Sequence, residues 1–130
     1  MKPQDQIKAL AELDGLGPQK GEQWNYSNPY SPTGISVDVD AKCKRWIGKN
    51  YLTSYDAIIP LIHKVINRYT CHGFFDALGL IAITDWQDVD GAPSYEGDGS
   101  YFEIWVLFKA TPSQLSEALL RATGKWKENE

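Results

Sequence analysis

The strongest apolar periodicity in the chain runs from Tyr55 to Tyr69. Tyr55, Ile58, Ile59, Ile62, Ile66 and Tyr69 recur at the i, i+3, i+4, i+7 spacing of a helix with one buried face. Thr53 is placed to cap this helix, and Asp56 three residues on complements the free N–H groups and the dipole. Pro60 removes the N–H that would bond the Asp56 carbonyl, so the spacing predicts a kink there. Lys64, Asn67 and Arg68 fall on its solvated side. A first helix is predicted over Pro3–Asp14, with Ile7, Leu10 and Ala11 as its stripe, Leu13 at its margin, and Gly15 as its stop. A last helix opens on Thr111-Pro112-Ser113-Gln114, a capping box with proline at the first helical position. Leu115, Ala118, Leu119 and Ala122 form its stripe, Glu117 and Arg121 make an i, i+4 pair, and Gly124 ends it with Trp126 folding back.

Period-two alternation marks the strands. Ile35, Val37 and Val39 alternate with Ser36, Asp38 and Asp40, and a turn near Asp40-Ala41 leads to a second strand, Lys42–Ile47. Lys42, Lys44, Arg45 and Lys49 make this the one basic cluster, which fits a charged edge strand. Tyr101–Lys109 is a third strand, with Phe102, Ile104, Val106 and Phe108 expected to pack on Ile58, Ile62, Leu115 and Leu119. Phe74–Thr84 fits either a short helix or a buried strand, because apolar periodicity alone does not separate them. The expected fold is one α+β domain over residues 1–130, a small antiparallel sheet packed with about three helices.

Two stretches break these patterns. Residues 15–34 hold four glycines and three prolines, so no regular element is expected to persist through them. They also carry Trp24, Tyr26 and Tyr30, which a disordered linker would tend to lack, and this argues for a structured loop. These rings either line a binding surface or plug the edge of the core. Residues 85–100 are turn-rich and acidic, with no Lys or Arg.

Composition narrows the function. The chain has 130 residues, 42% hydrophobic and 23% charged, enough for one core without metal or disulfide staples. No run of about 18 apolar residues exists, so no membrane span is expected. The amphipathic start lacks a signal-peptide stretch, so the expected location is the cytoplasm. A net charge of −4 argues against broad duplex nucleic-acid binding, which needs clustered Lys and Arg. Cys43 and Cys71 are expected to be reduced, and His63, Cys71 and His72 lack the paired spacing of zinc ligands. Asp88 and Asp90 before Gly91 lack the remaining ligands of a calcium loop. Asp85, Asp88 and Asp90 are the one dense acidic group that a metal-assisted hydrolase would use, and a solvated loop is the plainer account. With no nucleophile elbow, phosphate loop or dinucleotide fingerprint, the chain is expected to be neither an enzyme nor a cofactor carrier.

Two segments, Asn50–Ile66 (NYLTSYDAIIPLIHKVI) and Lys109–Glu128 (KATPSQLSEALLRATGKWKE), together with the start IKALAELDG, resemble the phage α-β-α sandwich domain family. The resemblance covers about the first 14 residues and most of 50–128, and departs from that family at 15–34 and 85–100. It implies a small phage or prophage protein of α-β-α sandwich architecture. In size, acidity, surplus aromatics and lack of catalytic motifs the chain is also similar to phage anti-defence sponges. Those proteins sequester nucleotide immune signals such as cyclic ADP-ribose isomers, as in Thoeris anti-defence, or cyclic oligonucleotides.

A ligand of that kind needs flat rings to stack its base and cations for its phosphates. Trp24, Tyr26, Tyr30, Tyr101 and Trp105 are the candidate stacking groups, and Arg45, Arg68, Lys109 and Arg121 the candidate phosphate partners. The alternative is a protein-binding inhibitor whose acidic loop and exposed aromatics dock on a host defence protein or nuclease, since an acidic patch can block a basic groove. The surplus of aromatics also predicts a homo-oligomer.

Overall fold

The computed structural model describes residues 1–68, 70–86 and 109–128. Among them are four helices and a three-stranded antiparallel sheet, a small α+β fold. In chain order these are α1 (Pro3–Leu13), β1 (Gln23–Asn25), β2 (Ser36–Asp38), β3 (Lys44–Trp46), α2 (Tyr55–Val65), α3 (Cys71–Trp86) and α4 (Pro112–Ala122). The expected strand over 101–109, with Tyr101 and Trp105, and the acidic stretch from residue 87 onward lie outside the described residues up to Lys109. Lys109 itself is exposed, with helical rather than extended backbone.

The sheet is a meander in the order β1-β2-β3. Its register aligns Asn25, Ser36 and Trp46 in one row and Gln23, Asp38 and Lys44 in the next row of the same parity. Between them lies the row Trp24, Val37 and Arg45, whose side chains point to the opposite face. Val37 belongs to the core cluster with Ile35 and Ile47, and Trp24 packs against it, so this second face is the one turned to the core; the opposite face is exposed at Lys44 and Trp46 and covered at Ser36. β1 corrects the expectation of an irregular 15–34 segment. Three residues of extended chain suffice to pair with β2, and the glycines fall outside them. The β2–β3 turn is where the alternation placed it: Asp40 Oδ1 accepts the backbone N–H groups of Lys42 and Cys43, both at 2.8 Å.

The first and last helices end alike. Gly15 (φ +79°) and Gly124 (φ +72°) take the left-handed position past α1 and α4. Leu16 N–H then bonds Ala11 O, and Lys125 N–H bonds Leu120 O, each at 2.8 Å, closing otherwise orphaned carbonyls. The capping box at the start of α4 is formed: Thr111 Oγ1 accepts from Gln114 N, and Gln114 Oε1 accepts from Thr111 N.

α2 departs from its expected form in three ways. Its N-cap is Ser54, without a side-chain bond, and Thr53 precedes it. It ends at Val65 and α3 begins afresh at Cys71, which settles Phe74–Thr84 as helix. Its buried stripe is Ala57, Ile58 and Leu61, with Ile62 and Val65 half-buried, while Tyr55 and Ile59 face solvent. The helix is apolar around most of its circumference, so the face that periodicity picks through Tyr55 and Ile59 is rotated from the one that packs. α4 fixes it, being the element on which α1, α2 and α3 all pack. Leu115, Leu119 and Leu120 of α4 join Leu10, Ile35, Ile47, Ile58 and Leu78 in one core.

Three long-range hydrogen bonds tie these layers together. The Tyr51 hydroxyl donates to Asp14 Oδ2 at 2.7 Å, Ser116 Oγ to Tyr51 O at 3.0 Å, and the Tyr55 hydroxyl to Ala110 O at 2.6 Å. Cys43, in the β2–β3 turn, and Cys71, at the start of α3, are both free thiols.

Candidate ligand-binding face

The loop before β2 is held rigidly for its composition. Asn28 and Ser31 are buried, with Pro29 between them at the second position of a turn closed by Ser31 N–H to Asn28 O. Asn28 Oδ1 also accepts from Tyr30 N at 2.9 Å. Ser31 Oγ lies within hydrogen-bonding distance of the Ile35 and Ile47 carbonyls, at 2.8 and 2.9 Å, which pins the turn to the ends of β2 and β3. The turn therefore projects Tyr30 outward beside β3.

There it meets Trp46. The two rings are stacked with centroids 6.3 Å apart and planes 18° apart, and they remain 76% and 54% exposed. Stacking shields little of either ring, so two large aromatic faces stay in water together. Lys44, in the adjacent row of the same sheet face, donates to Asp38 Oδ1 at 2.7 Å. That bond holds the Asp38 carboxyl below its ordinary pKa, with Asn25 Nδ2 adding a longer contact. Lys42 is exposed in the turn that precedes β3.

Ser36 occupies the middle of the Asn25–Ser36–Trp46 row. Its residue is fully buried, and Oγ is the one buried side-chain polar atom among the described residues without a hydrogen-bond partner. An unpartnered buried hydroxyl costs about 1–3 kcal/mol, so a strand would be expected to carry Ala or Val there unless the position serves something else.

The structure divides the sequence-derived candidates among several places. Tyr30 stands on the outer sheet face, and Tyr26, just past β1, is exposed. Trp24 and Arg45 share the inner row. Trp24 packs half-buried on the core, its Nε1 donating to Glu12. Arg45 donates to the carbonyls of Leu16 and Gly17 at 3.2 and 2.8 Å and pairs with Glu22 at 2.9 Å. That bond, with a backbone N–H from Gln19, holds the Glu22 carboxyl below its ordinary pKa. Arg45 thus ties the 15–22 loop to the sheet.

Arg68 is exposed between α2 and α3. Arg121 pairs with Glu117 and Glu128, and its guanidinium sits 4.8 Å above the Trp126 ring. It also borders a groove of about 510 Å³ between α3 and α4, beside Leu80 and Ile81.

Trp46 and Ser36 are the residues that sequence reasoning passed over. The signal was present: in Lys44-Arg45-Trp46-Ile47 strict alternation puts a tryptophan on the same side as Lys44, the polar side of the strand. Comparison of the chain with protein families, with curated proteins and with solved structures finds no match.

Proposed function

We propose that the protein is a non-catalytic binding module that sequesters a small ligand with a flat ring and a phosphate, of the nucleotide-signal class. The observation that carries this reading is the exposed Tyr30–Trp46 stack on an outer sheet face that also bears Lys44. A base stacks on the ring faces, a contact worth about 1–3 kcal/mol per base. A phosphate beyond it takes Lys44 from Asp38, exchanging one charge-assisted bond for another. The setting expected from the sequence, a phage-encoded anti-defence sponge acting in the bacterial cytoplasm, fits a module with rings and cations and no catalytic motif.

Calorimetry against cyclic oligonucleotides, cyclic ADP-ribose isomers and mononucleotides tests this. At least one should bind below about 10 μM, roughly −7 kcal/mol. Heating the complex should release the ligand unchanged. Trp46→Ala should weaken binding about tenfold while the melting temperature stays near that of the parent, because the ring is exposed. If nothing in the panel binds at that level, or Trp46→Ala binds equally well, the proposal fails. Light scattering that showed a dimer dissociated by Trp46→Ala would instead make the ring pair a contact between copies.

A further inference from the structure

A second concave surface lies away from the sheet face and shares no residue with it. α1 and the tail after α4 enclose a groove of about 520 Å³, within the roughly 300–1,000 Å³ usual for small-molecule sites. Four lysines line it, Lys2 and Lys8 from the N-terminal side and Lys125 and Lys127 from the tail. They are four of the 13 basic residues in a chain of net charge −4, drawn from segments more than a hundred residues apart. None of their ammonium groups has an ion-pair partner among the described residues.

Three carboxylates, Asp5, Glu12 and Glu128, line the same groove, and one of them is paired with a cation. Glu128 accepts from Arg121 and from Trp126 Nε1, while Glu12 accepts from the neutral Trp24 Nε1 and, like Asp5, keeps its charge. The positive end of α1 opens here as well: its N-cap is Lys2, which offers no side-chain acceptor, and Pro3 follows. The groove therefore sets four ammonium groups against the two carboxylates, Asp5 and Glu12, that no cation among the described residues pairs, a local positive excess that favours an anion.

We propose that this groove binds the phosphate chain of a small polyanion, with Lys2, Lys8, Lys125 and Lys127 as its cations. Tripolyphosphate and ATP are the probes, because they share the phosphate chain and differ in the base. In calorimetry at about 50 mM salt both should bind saturably, and raising salt to about 200 mM should weaken both. Lys8→Gln with Lys125→Gln, and separately Lys2→Gln with Lys127→Gln, should each weaken both probes about tenfold. Lys2 and Lys127 are exposed, so the second pair keeps the test valid if the first impairs folding. Trp46→Ala should leave tripolyphosphate binding unchanged.

Absence of saturable tripolyphosphate binding up to about 10 mM overturns the proposal, as does parental affinity in both lysine pairs. ATP binding that is lost in Trp46→Ala and accompanied by no tripolyphosphate binding overturns the groove while leaving the sheet-face proposal standing. Tripolyphosphate binding lost in the lysine pairs, with no ligand for the sheet face, does the reverse.

Discussion

Replacing Asp14 by alanine should remove more stability than any single surface contact suggests. Asp14 is the C-cap of α1, an unfavourable place for a negative charge because the helix dipole is negative there. Three donors outweigh this: the Tyr51 hydroxyl at 2.7 Å, Lys49 at 3.1 Å and Lys64 at 3.4 Å. Burial by itself would raise the pKa of the carboxyl, but these bonds and the Lys49 charge prevail and hold it below its ordinary value. Tyr51 is fully buried, so deleting Asp14 strands its hydroxyl at a cost of about 1–3 kcal/mol. The two exposed lysines add only about 0.2–1 kcal/mol each, and relief of the dipole returns about 0.3–1. The net expectation is about 2–3 kcal/mol. Tyr51→Phe removes both the hydroxyl and its bond and should cost only about 0.5–1.5 kcal/mol. Urea unfolding of the two single variants and the double variant measures their coupling, expected to be about 1 kcal/mol or more. A coupling near zero, or an Asp14→Ala cost no larger than that of Tyr51→Phe, would refute the argument.

The same carboxyl sets an acid limit: with its folded pKa below the unfolded value, its stabilisation is present above about pH 4 and is lost as pH falls through the folded value. Melting temperature should therefore fall more gently with acid in Asp14→Asn than in the parent. Tyr51 works in the other direction. Burial, then the bond to Asp14, raises its pKa, so its contribution is intact below about pH 10 and is lost as pH climbs beyond. Tyr51→Phe should flatten the alkaline limb of the pH–stability curve. Ser36→Ala should stabilise the fold by about 1 kcal/mol by removing an unpartnered buried hydroxyl, read as a higher urea midpoint. Arg45→Met should lose about 1.5–3 kcal/mol through the Leu16 and Gly17 carbonyls and make the 15–22 loop more susceptible to proteolysis.

Where a local pattern had one solution, the chain could be read directly. Thr111 and Gln114 cap α4, glycines end α1 and α4, and Ile35, Val37 and Ile47 bury the inner sheet face, because caps and period-two faces are settled within a few residues. α2 was less legible: Tyr55 to Ile66 is apolar on so many sides that spacing picked a face through Tyr55 and Ile59, and packing against α4 selected Ala57, Ile58 and Leu61 instead. The candidate site was legible only in part. Tyr30 stood out as an aromatic in a glycine- and proline-rich loop. Its partner Trp46 was hidden in a basic cluster whose simplest account was edge protection, and their meeting depends on the Asn28–Ser31 turn and the pairing of β2 with β3. Arg45 looked like a free cation because the carbonyls it holds lie 28 and 29 residues away.

The position of α4 also governs the order in which the molecule can be finished. Among the described residues the sheet strands pair only with neighbours in sequence, and α1, α2 and α3 are all synthesised before residue 111 has been made. Until α4 emerges, the apolar sides of all three lack the surface on which they pack. A chain arrested short of α4 should therefore be a client for chaperones and proteases, and a variant such as Leu119→Ala should reduce the yield of folded protein in cells.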